Sequence, residues 1–501
     1  MTSGAEFVIM YEADGFSVIL KHIERGEQKM RDYITPNETK RASDSESIQA
    51  AIELAVSEGK RRIVIPRMNE RTGEAKWIID TTVRLPSDFT VILEDCFMQM
   101  ADEVVGGFFC NETLFTERGT ELKYRQRNIH VIGVGDAILD GGRPTEINEE
   151  TQFSIGVPVR LNSPIFFMNV EHFSIENIKI HHQRYWGMRF EYCSSGVIRD
   201  ISFKVIRDRR NQDGIDLRNG CHDILIENVS GQSGDDLIAL SAIDTDMPTG
   251  FGEGGNDYSV IVKGHDWVIH DVTIRNIYGS PVTHPLVALR NHNGAKMYNI
   301  HIENLHDCPM LYPAHEGERE RYAMVHIGDN IYYRLSRQVM GDTHDITIRD
   351  IYYRNTRSAV QVGGTVKNMC ISNLHGGGEA TSALTVIGDN WGDDVYGVDM
   401  ENVLVDGVFL SGEKDDVSLI DMPYMQKGNC IKRLTVKNAY LENVNRLAIV
   451  HTDCTELDLR TDNVTLINSS DKIERTSQPI KIKRAERNLP PFKSTAKRDD
   501  I

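Results

Sequence analysis

The sequence predicts an all-β protein, a single elongated right-handed parallel β-helix with a helical cap at its N-terminal end. Three observations indicate this fold: a strand-like unit that recurs along the chain, β-branched residues alternating within each unit, and one amphipathic segment before the first strands. The predicted domain spans residues 1–480, with the helix at about 40–60. Residues 481–501 are predicted to form a basic tail that is flexible or draped over the surface.

The cap is predicted from the segment SESIQAAIELAVSEGK, which follows Ser43 and Asp44. A serine N-cap begins the amphipathic pattern and Gly59 ends it. The segments RRIVIP and TVRLPSDFTVILED then predict the first strands. A helix here would close the open end of the coil, where unpaired strand edges would otherwise be offered to other chains.

The recurrent unit has the form apolar, any, Ile or Val, any, Asn or Asp, apolar, as in ILIENV and VTIRNI. Its polar markers are Asn177, Asp200, Asn228, Asn276, Asn304, Asp350, Asn373 and Asn438. The gaps of 23, 28, 48, 28, 46, 23 and 65 residues predict a coil of about 23 to 28 residues, with the longer gaps interpreted as two or two and a half coils. A leucine-rich repeat has similar spacing, but its Leu-x-x-Leu-x-Leu frame is missing. The markers are interpreted as structural residues that bend the chain and stack in ladders.

Composition limits the classes of partner. The chain of 501 residues has 56 basic and 74 acidic residues, a net charge of −18, which argues against nucleic acid or an anionic membrane as partner. Glu6, Glu12 and Asp14 interrupt the apolar N-terminus, so no signal peptide is visible, and no stretch has the roughly 18 apolar residues of a membrane span. Eight scattered cysteines are interpreted as buried thiols. A cytoplasmic location is therefore expected, although a trimmed secreted chain would look the same.

Acidic residues occur twice in the segment NQDGIDLRNGCHDILIENVSGQSGDDLIAL, residues 211–240, at an interval of 22 residues. With a coil of that length, Asp213 would stack beside Asp235, and Asp236 would lie close by. Parallel strands are roughly 4.8 Å apart, so the three carboxyls would form one cluster. Such crowding keeps one carboxyl protonated while another is ionised, which is the pair that glycoside hydrolysis needs. The alternative is that these acids are turn residues or bind a cation.

The segments Asn211-Gln212-Asp213 and Gly234-Asp235-Asp236 resemble the NTD and DD motifs of the polygalacturonases, the family 28 glycoside hydrolases. The segment GVGDAILDGG, residues 133–142, is similar to the early glycine-rich turn of that family. In organisation the resemblance extends over about residues 40–460, and it is specific over 213–239.

The resemblance implies that Asp235 is the general acid, while Asp213 and Asp236 hold and deprotonate the attacking water, with inversion at the anomeric carbon. It implies an oligosaccharide or polysaccharide substrate of the pectin type, with no cofactor and no metal ion. Gly234 is expected to supply the bend that lets two adjacent acids reach one site.

Two further motifs of the family differ in this chain. For the Gly-His-Gly motif the candidates are His265 and His284, and His284 is favoured because it follows the unit VTIRNI. The Arg-Ile-Lys motif, which holds a substrate carboxylate in the family, is missing. Arg290 offers one guanidinium, and the segment Val325-His326-Ile327 occupies a comparable position in a later coil. Asn211, His284 and Arg290 are thus predicted to bind substrate, whether or not the sugar carries a carboxylate.

The sequence is also consistent with two other functions. A lyase on the same fold would use the aspartates as calcium ligands and would release an unsaturated product. A glycan-binding, tailspike-like β-helix would bind without turnover. Tyr185 and Trp186 are candidates for a sugar-stacking platform or for packed turn aromatics. The sugar, the linkage, endo or exo action and the oligomeric state are not determined by these patterns.

Overall fold

The computed structural model describes residues 8–12, 15–19, 31–114, 116–143, 159–205, 211–242, 264–280, 284–291, 294–309, 323–328, 338–387, 398–424, 430–451 and 456–476. These residues form a right-handed parallel β-helix, as predicted. The helix α1 spans Asp44–Ser57, and short 3-10 helices lie at Pro36–Glu38, Arg118–Thr120, Leu122–Tyr124 and Val159–Asn162. None of the helices in this part of the chain has the length and apolar character needed to cross a membrane.

The first strands in chain order are β1 (Val8–Glu12), β2 (Gly15–Ile19), β3 (Arg62–Pro66), β4 (Trp77–Ile79), β5 (Val83–Leu85), β6 (Phe89–Glu94), β7 (Phe97–Met100), β8 (Phe109–Asn111), β9 (Gln126–Val134), β10 (Ile138–Asp140), β11 (Ile165–Met168), β12 (Val170–His181), β13 (Met188–Glu191), β14 (Ser194–Lys204), β15 (Ile215–Arg218) and β16 (His222–Gln232). The remaining strands are β17 (Ile238–Ala242), β18 (Ile269–Gly279), β19 (Val287–Asn291), β20 (Met297–Asp307), β21 (Ala323–Ile327), β22 (Thr343–Tyr353), β23 (Ser358–Val362), β24 (Val366–Gly376), β25 (Ser382–Ile387), β26 (Met400–Ser411), β27 (Ser418–Tyr424), β28 (Cys430–Glu442), β29 (Arg446–His451), β30 (Glu456–Ile467) and β31 (Ile473–Thr476).

The strands form two large parallel sheets. From β11 onward each coil contributes one long strand to the first sheet, in the order β12-β14-β16-β18-β20-β22-β24-β26-β28-β30. It contributes one short strand to the second, in the order β11-β13-β15-β17-β19-β21-β23-β25-β27-β29-β31. The strands β1 and β2 form a separate antiparallel pair. Every coil therefore places its short strand directly beside that of the next coil.

The long strands bend at two residues with left-handed backbone. In β16 these are Asp223, at φ 54°, and Asn228, at φ 55°. Asn and Asp tolerate this conformation better than other residues that carry a side chain. All eight polar markers of the repeat have positive φ, so the predicted bending role is confirmed.

The markers also form the predicted ladder. Asn276 donates from its side-chain amide to Asn228 Oδ1 at 3.0 Å, and Asn304 donates to Asn276 Oδ1 at 2.7 Å. Asn373 donates to Asp350 in the same way. The amide of Asn276 is therefore bonded both to the coil before it and to the coil after it.

The number of coils predicted from the longer gaps is wrong. Val229 pairs with Ile277, and Leu305 pairs with Ile351, so the gaps of 48 and 46 residues are each a single coil with a long insertion. The gap of 65 residues holds two coils, because Gly407 occupies the marker position of β26 at φ 74°. A glycine adopts this backbone without an Asn side chain, so the pattern search missed it.

The helix α1 closes the N-terminal end of the core. Ser43 accepts a hydrogen bond at its side chain from Glu46 N, and the helix stops two residues before Gly59, at φ 71°. Ile48 and Ile52 are buried in the same cluster as the strand residues. The predicted cap is therefore confirmed. The tail at 481–501 lies outside the described residues, and the boundary at 480 stays a prediction.

Candidate active site

The acidic motifs precede two neighbouring short strands. Asp213 lies before β15, and Asp235 and Asp236 lie before β17. Ile215 pairs with Ile238, an offset of 23 residues that places Asp213 beside Asp236. The expected 22-residue register, with Asp213 beside Asp235, is therefore wrong by one position. The chain bends at Gly234 and Asp235 before the strand begins, and this bend takes up the extra residue.

The bend lets two adjacent acids face one site. Gly234 N–H donates to the carbonyl of Gln212 at 2.9 Å, and the Ser233 hydroxyl donates to the carbonyl of Asp235 at 2.7 Å. Asp236 N–H donates to Asp235 Oδ1 at 3.1 Å. In a regular strand, adjacent side chains point to opposite faces. Here both carboxyls lie within reach of the same histidine.

That histidine and an arginine come from the next coil. His284 Nδ1 lies 3.0 Å from Asp235 Oδ1 and 3.9 Å from Asp236 Oδ1. Arg290, in β19, forms an ion pair with Asp236 Oδ2. His265, the other sequence candidate, instead contacts Arg125 and the ring of Tyr192. The structure thus brings His284, and not His265, to the acids.

Asn211 contacts the cluster through its main chain. Its N–H donates to Asp235 Oδ2 at 3.3 Å, and its φ of 56° lies in the left-handed region. An asparagine is suited to this backbone. The structure gives Asn211 a role in holding Asp235, while its predicted contact with substrate stays a prediction.

The acids are buried close together. Burial raises the pKa of Asp213 well above its ordinary value, and the neighbouring carboxyls of Asp216, Asp235 and Asp236 raise it further. Burial also raises the pKa of Asp236, against the opposing effect of Arg290. Asp213 Oδ1 and Asp236 Oδ1 have no hydrogen-bond partner among the described residues. Asp213 and Asp236 therefore retain their protons at a pH where isolated carboxyls have lost them.

The sequence analysis missed Asp216 as a member of the cluster. Its side chain is buried, and its pKa is raised by burial and by Asp236, while Arg189, Arg218 and Arg290 oppose the rise. The sequence feature that could have identified it is the second acid of the segment DGID, residues 213–216. Strand alternation places Asp216 on the opposite face from Ile215, which lies in the core, and so on the outer face of β15.

His326 also faces the site. It lies in β21, in register with Ala288 of β19. Burial lowers its pKa to about 3, and the positive charges of Arg290 and His284 contribute. His326 is therefore neutral at neutral pH. The segment Val325-His326-Ile327, for which a position comparable to the missing motif was predicted, therefore carries an uncharged imidazole.

The same side chains form one compact group of metal-ligand type. In the described part of the chain, ligand atoms of Asp235, Asp236 and His284 lie within 4.8 Å of one another. Calcium prefers six to eight oxygen ligands, whereas this group includes a ring nitrogen, and Arg290 already neutralises Asp236. Two carboxyls and an imidazole at this distance can also exchange protons, so the group has acid–base character as well.

Tyr185 and Trp186 do not form an open platform. Both are buried, and their rings stack on each other at 5.1 Å between centroids, with an interplanar angle of 19°. The outer side of this pair is packed against Val105. The structure agrees with the packed-aromatic alternative.

Comparison with solved structures shows the same fold in proteins of low sequence identity. The Azotobacter vinelandii mannuronan C-5 epimerase AlgE6 A-module is 13% identical, with a TM-score of 0.55 over 86% of this chain and 99% of that one. The Streptococcus pneumoniae surface protein and adhesin PfbA is 11% identical, with a TM-score of 0.50 over 88% and 99%. The Yersinia enterocolitica family 28 exopolygalacturonase is 13% identical, with a TM-score of 0.47 over 94% and 83%.

Comparison with family models adds a match that includes the acids. No curated protein matches the sequence significantly. Residues 119–250 match the model of the glycosyl hydrolases family 28. Asp213, Asp235 and Asp236 lie inside this segment, and His284 and Arg290 lie beyond it. The resemblance to the polygalacturonase-like family 28 is therefore confirmed, over the part of the chain that carries the acidic cluster.

Proposed function

We propose that the protein is a glycoside hydrolase that cleaves glycosidic bonds in pectin-type or related plant oligosaccharides. The observation that carries the proposal is the cluster of Asp213, Asp235 and Asp236 at the ends of adjacent short strands, with His284 against two of the acids. Glycoside hydrolysis needs one carboxyl as an acid and another as a base or nucleophile. The match to family 28 over residues 119–250 supports the same reaction class.

In this mechanism Asp235 protonates the leaving oxygen. Its side chain is 13% exposed, against 1% for Asp236, so it is the acid better placed to meet a substrate from solvent. Asp213 and Asp236 bind the attacking water and accept its proton. Arg290 pairs with Asp236 and opposes, without reversing, the rise in the pKa of Asp236 that burial causes. His284 orients Asp235 through the contact between Nδ1 and Oδ1.

Inversion at the anomeric carbon is also part of the proposal, and it rests on the motif roles. Ligand atoms of Asp235 and Asp236 lie within 4.8 Å of each other, closer than the roughly 6.5 to 9.5 Å that usually separates the two carboxyls of inverting enzymes. Proton NMR shows which anomer of the product forms first, and this anomer decides between inversion and retention.

The central experiment measures the release of reducing ends from a panel of pectic oligosaccharides containing uronate and rhamnose. We expect release by the native protein and none by a variant in which all three aspartates are asparagine. An ultraviolet-absorbing unsaturated product that depends on calcium would indicate a lyase. Binding without turnover, unchanged in the triple variant, would indicate a glycan-binding β-helix.

A cytoplasmic location belongs to the proposal as well. Cys193 and Cys221 lie in neighbouring coils as buried free thiols, which suits a reducing compartment. Such a location would make short imported oligosaccharides the substrates. Cell fractionation with an antibody against the protein tests it.

A further inference from the structure

The last coil of the described chain has apolar side chains that are only partly covered. Leu434 and Leu441 of β28 are fully buried. Their register partners in β30, Leu459 and Leu466, pack against the same core but are only partly buried. In β31 the side chain of Ile473 is 46% exposed. Among the described residues, the apolar layer of the last coil therefore has no cover.

The backbone edge of this coil is also unpaired in the described chain. The strands β30 and β31 are the last members of their sheets, and each pairs with a neighbour on one side. Such an edge presents N–H and C=O groups that can pair with a further strand. At the other end of the molecule the helix α1 covers the core. The C-terminal end of the coil is therefore a docking surface for a strand.

The sequence that follows β31 has the pattern of another strand. Ile480 and Ile482 alternate with Lys481 and Lys483. Alternation of this kind is typical of a strand with one face on a core and the other face in solvent. The segment can thus supply the apolar side chains that the last coil needs as a cover.

The spacing of the preceding coil places this segment over β30. That coil needs five residues to pass from His451, the end of β29, to Glu456, the start of β30. His451 pairs with Thr476, an offset of 25 residues. The same offset places Ile482 beside Leu457, which packs against the core and is partly buried. An isoleucine would therefore cover an apolar residue of the last coil.

The charges of the two segments are complementary. In the same register, Lys481 lies beside Glu456 and Lys483 lies beside Asp458. Asp458 is partly exposed and already pairs with Arg460, at 2.7 Å between Oδ2 and Nη2. Opposite charges on neighbouring strands attract each other, whereas like charges there repel. The charges thus favour this edge as the partner of the lysine-rich segment.

We propose that residues 477–501 form a C-terminal cap, and that residues 480–483 add a short parallel strand to the edge of β30. The two isoleucines cover the last apolar layer, and the two lysines meet the acids of β30. Pro490 and Pro491 then stop further pairing, because proline has no N–H to donate. The cap prevents a second copy of the chain from pairing with the end of the coil. This inference concerns assembly and is independent of the proposed glycosidase function.

The test measures hydrogen exchange of the full-length protein by mass spectrometry and its molar mass by light scattering. The reference is a synthetic peptide of residues 477–501. We expect the amides of residues 480–484 to exchange about tenfold or more slowly in the protein than in the peptide, at every protein concentration. Exchange at the rate of the peptide would overturn the inference. Protection that disappears on dilution, as dimers dissociate, would show that a second copy covers the end and would also overturn it.

Variants test whether the segment lies on β30. Ile480→Asp combined with Ile482→Asp should abolish the protection of the segment and accelerate exchange of the β30 amides about tenfold. It should also cause the protein to associate at high concentration. Ser494→Asp combined with Ala496→Asp is the matched control, because it adds the same charges to the same tail outside the alternating pattern. We expect the control to behave as the native protein does.

Unchanged exchange of β30 in the folded isoleucine variant would overturn the inference, and so would equal acceleration in both variants. If the isoleucine variant does not fold, the comparison of the native protein with the peptide still decides.

Discussion

Adjacent residues of this chain have opposite environments. The side chain of Asp235 is 13% exposed and contacts His284, whereas that of Asp236 is 1% exposed and is paired with Arg290. The bend at Gly234 and Asp235 separates the surroundings of the two side chains. A protein that must keep one carboxyl as a proton donor and another as a base needs such unequal surroundings.

Asp235→Asn should reduce turnover of the natural glycan by about 10² to 10⁴, the usual contribution of general acid catalysis. Asparagine is isosteric, so the melting temperature should change little, or rise as repulsion among the acids is relieved. An activated aryl glycoside, which needs less protonation, should lose less rate. Asp213→Asn and Asp236→Asn should slow both substrates. Near-full activity of Asp235→Asn on the natural glycan would contradict the acid assignment.

Asp421 should make stability depend on pH, because its Oδ1 atom is buried and has no hydrogen-bond partner among the described residues. Burial raises its pKa from 3.8 to about 6, against an opposing effect of Arg357. The unfolded chain therefore releases this proton at lower pH than the folded protein, and stability is lost as the pH rises from about 4 to 6. Relative to Asp421→Asn, the native protein should lose about 1 to 3 kcal/mol of unfolding free energy across this range. Chemical denaturation at several pH values measures the difference, and parallel pH profiles of the two proteins would contradict it.

At the scale of the element, the long strand is built around its two left-handed residues. The marker asparagines combine a backbone that tolerates positive φ with an amide that bonds the neighbouring coils. Gly407 shows that the backbone requirement can be met without the amide. The two contributions can therefore be separated by mutation.

Asn276→Ala should destabilise the protein by about 1 to 3 kcal/mol, because alanine disfavours φ of 58° and two ladder hydrogen bonds are lost. Asn276→Gly loses the same bonds but accepts the backbone, so it should cost less. Thermal melting of both variants measures the difference. Equal losses would mean that the hydrogen bonds alone account for the effect.

At the scale of the whole molecule, one core runs from the cap helix through the coils. Ile48, Ile52 and Ala55 of α1 belong to the same apolar cluster as the residues of β28. In a stacked coil each layer is buried by its neighbours, so the first layer needs a cover of another kind. The helix provides it.

Ile52→Ala should lower the unfolding free energy by about 2 to 5 kcal/mol, the usual cost of such a truncation in a core. Val56→Ala is the matched control on the same helix, since Val56 is 41% exposed. It should change stability by less than about 0.5 kcal/mol. Denaturant unfolding of both variants checks this. Similar losses at the two positions would show that α1 is not part of the core.

The fold was predictable because each coil repeats the same local sequence features. Alternating β-branched residues and an Asn or Asp at the bend are local features, and they recur at Asn177, Asn228 and Asn304. The coil count was less predictable, because an insertion lengthens a gap without adding a coil, and because Gly407 replaces a marker. The spacing between two markers gives the number of residues between them, but it does not give the number of coils that those residues form.

The sequence by itself determined the β-helix, its cap and the three acids of one local stretch, because backbone preference and strand alternation act within a few residues. The tertiary structure decided that Asp213 lies beside Asp236, and that His284 and Arg290 contact the acids from the next coil. It also decided the raised pKa of Asp213 and the packing of the Arg189 guanidinium over the ring of Trp186. Burial and cross-coil contact depend on how the coils stack and on where the chain bends, and neither is encoded in any single segment.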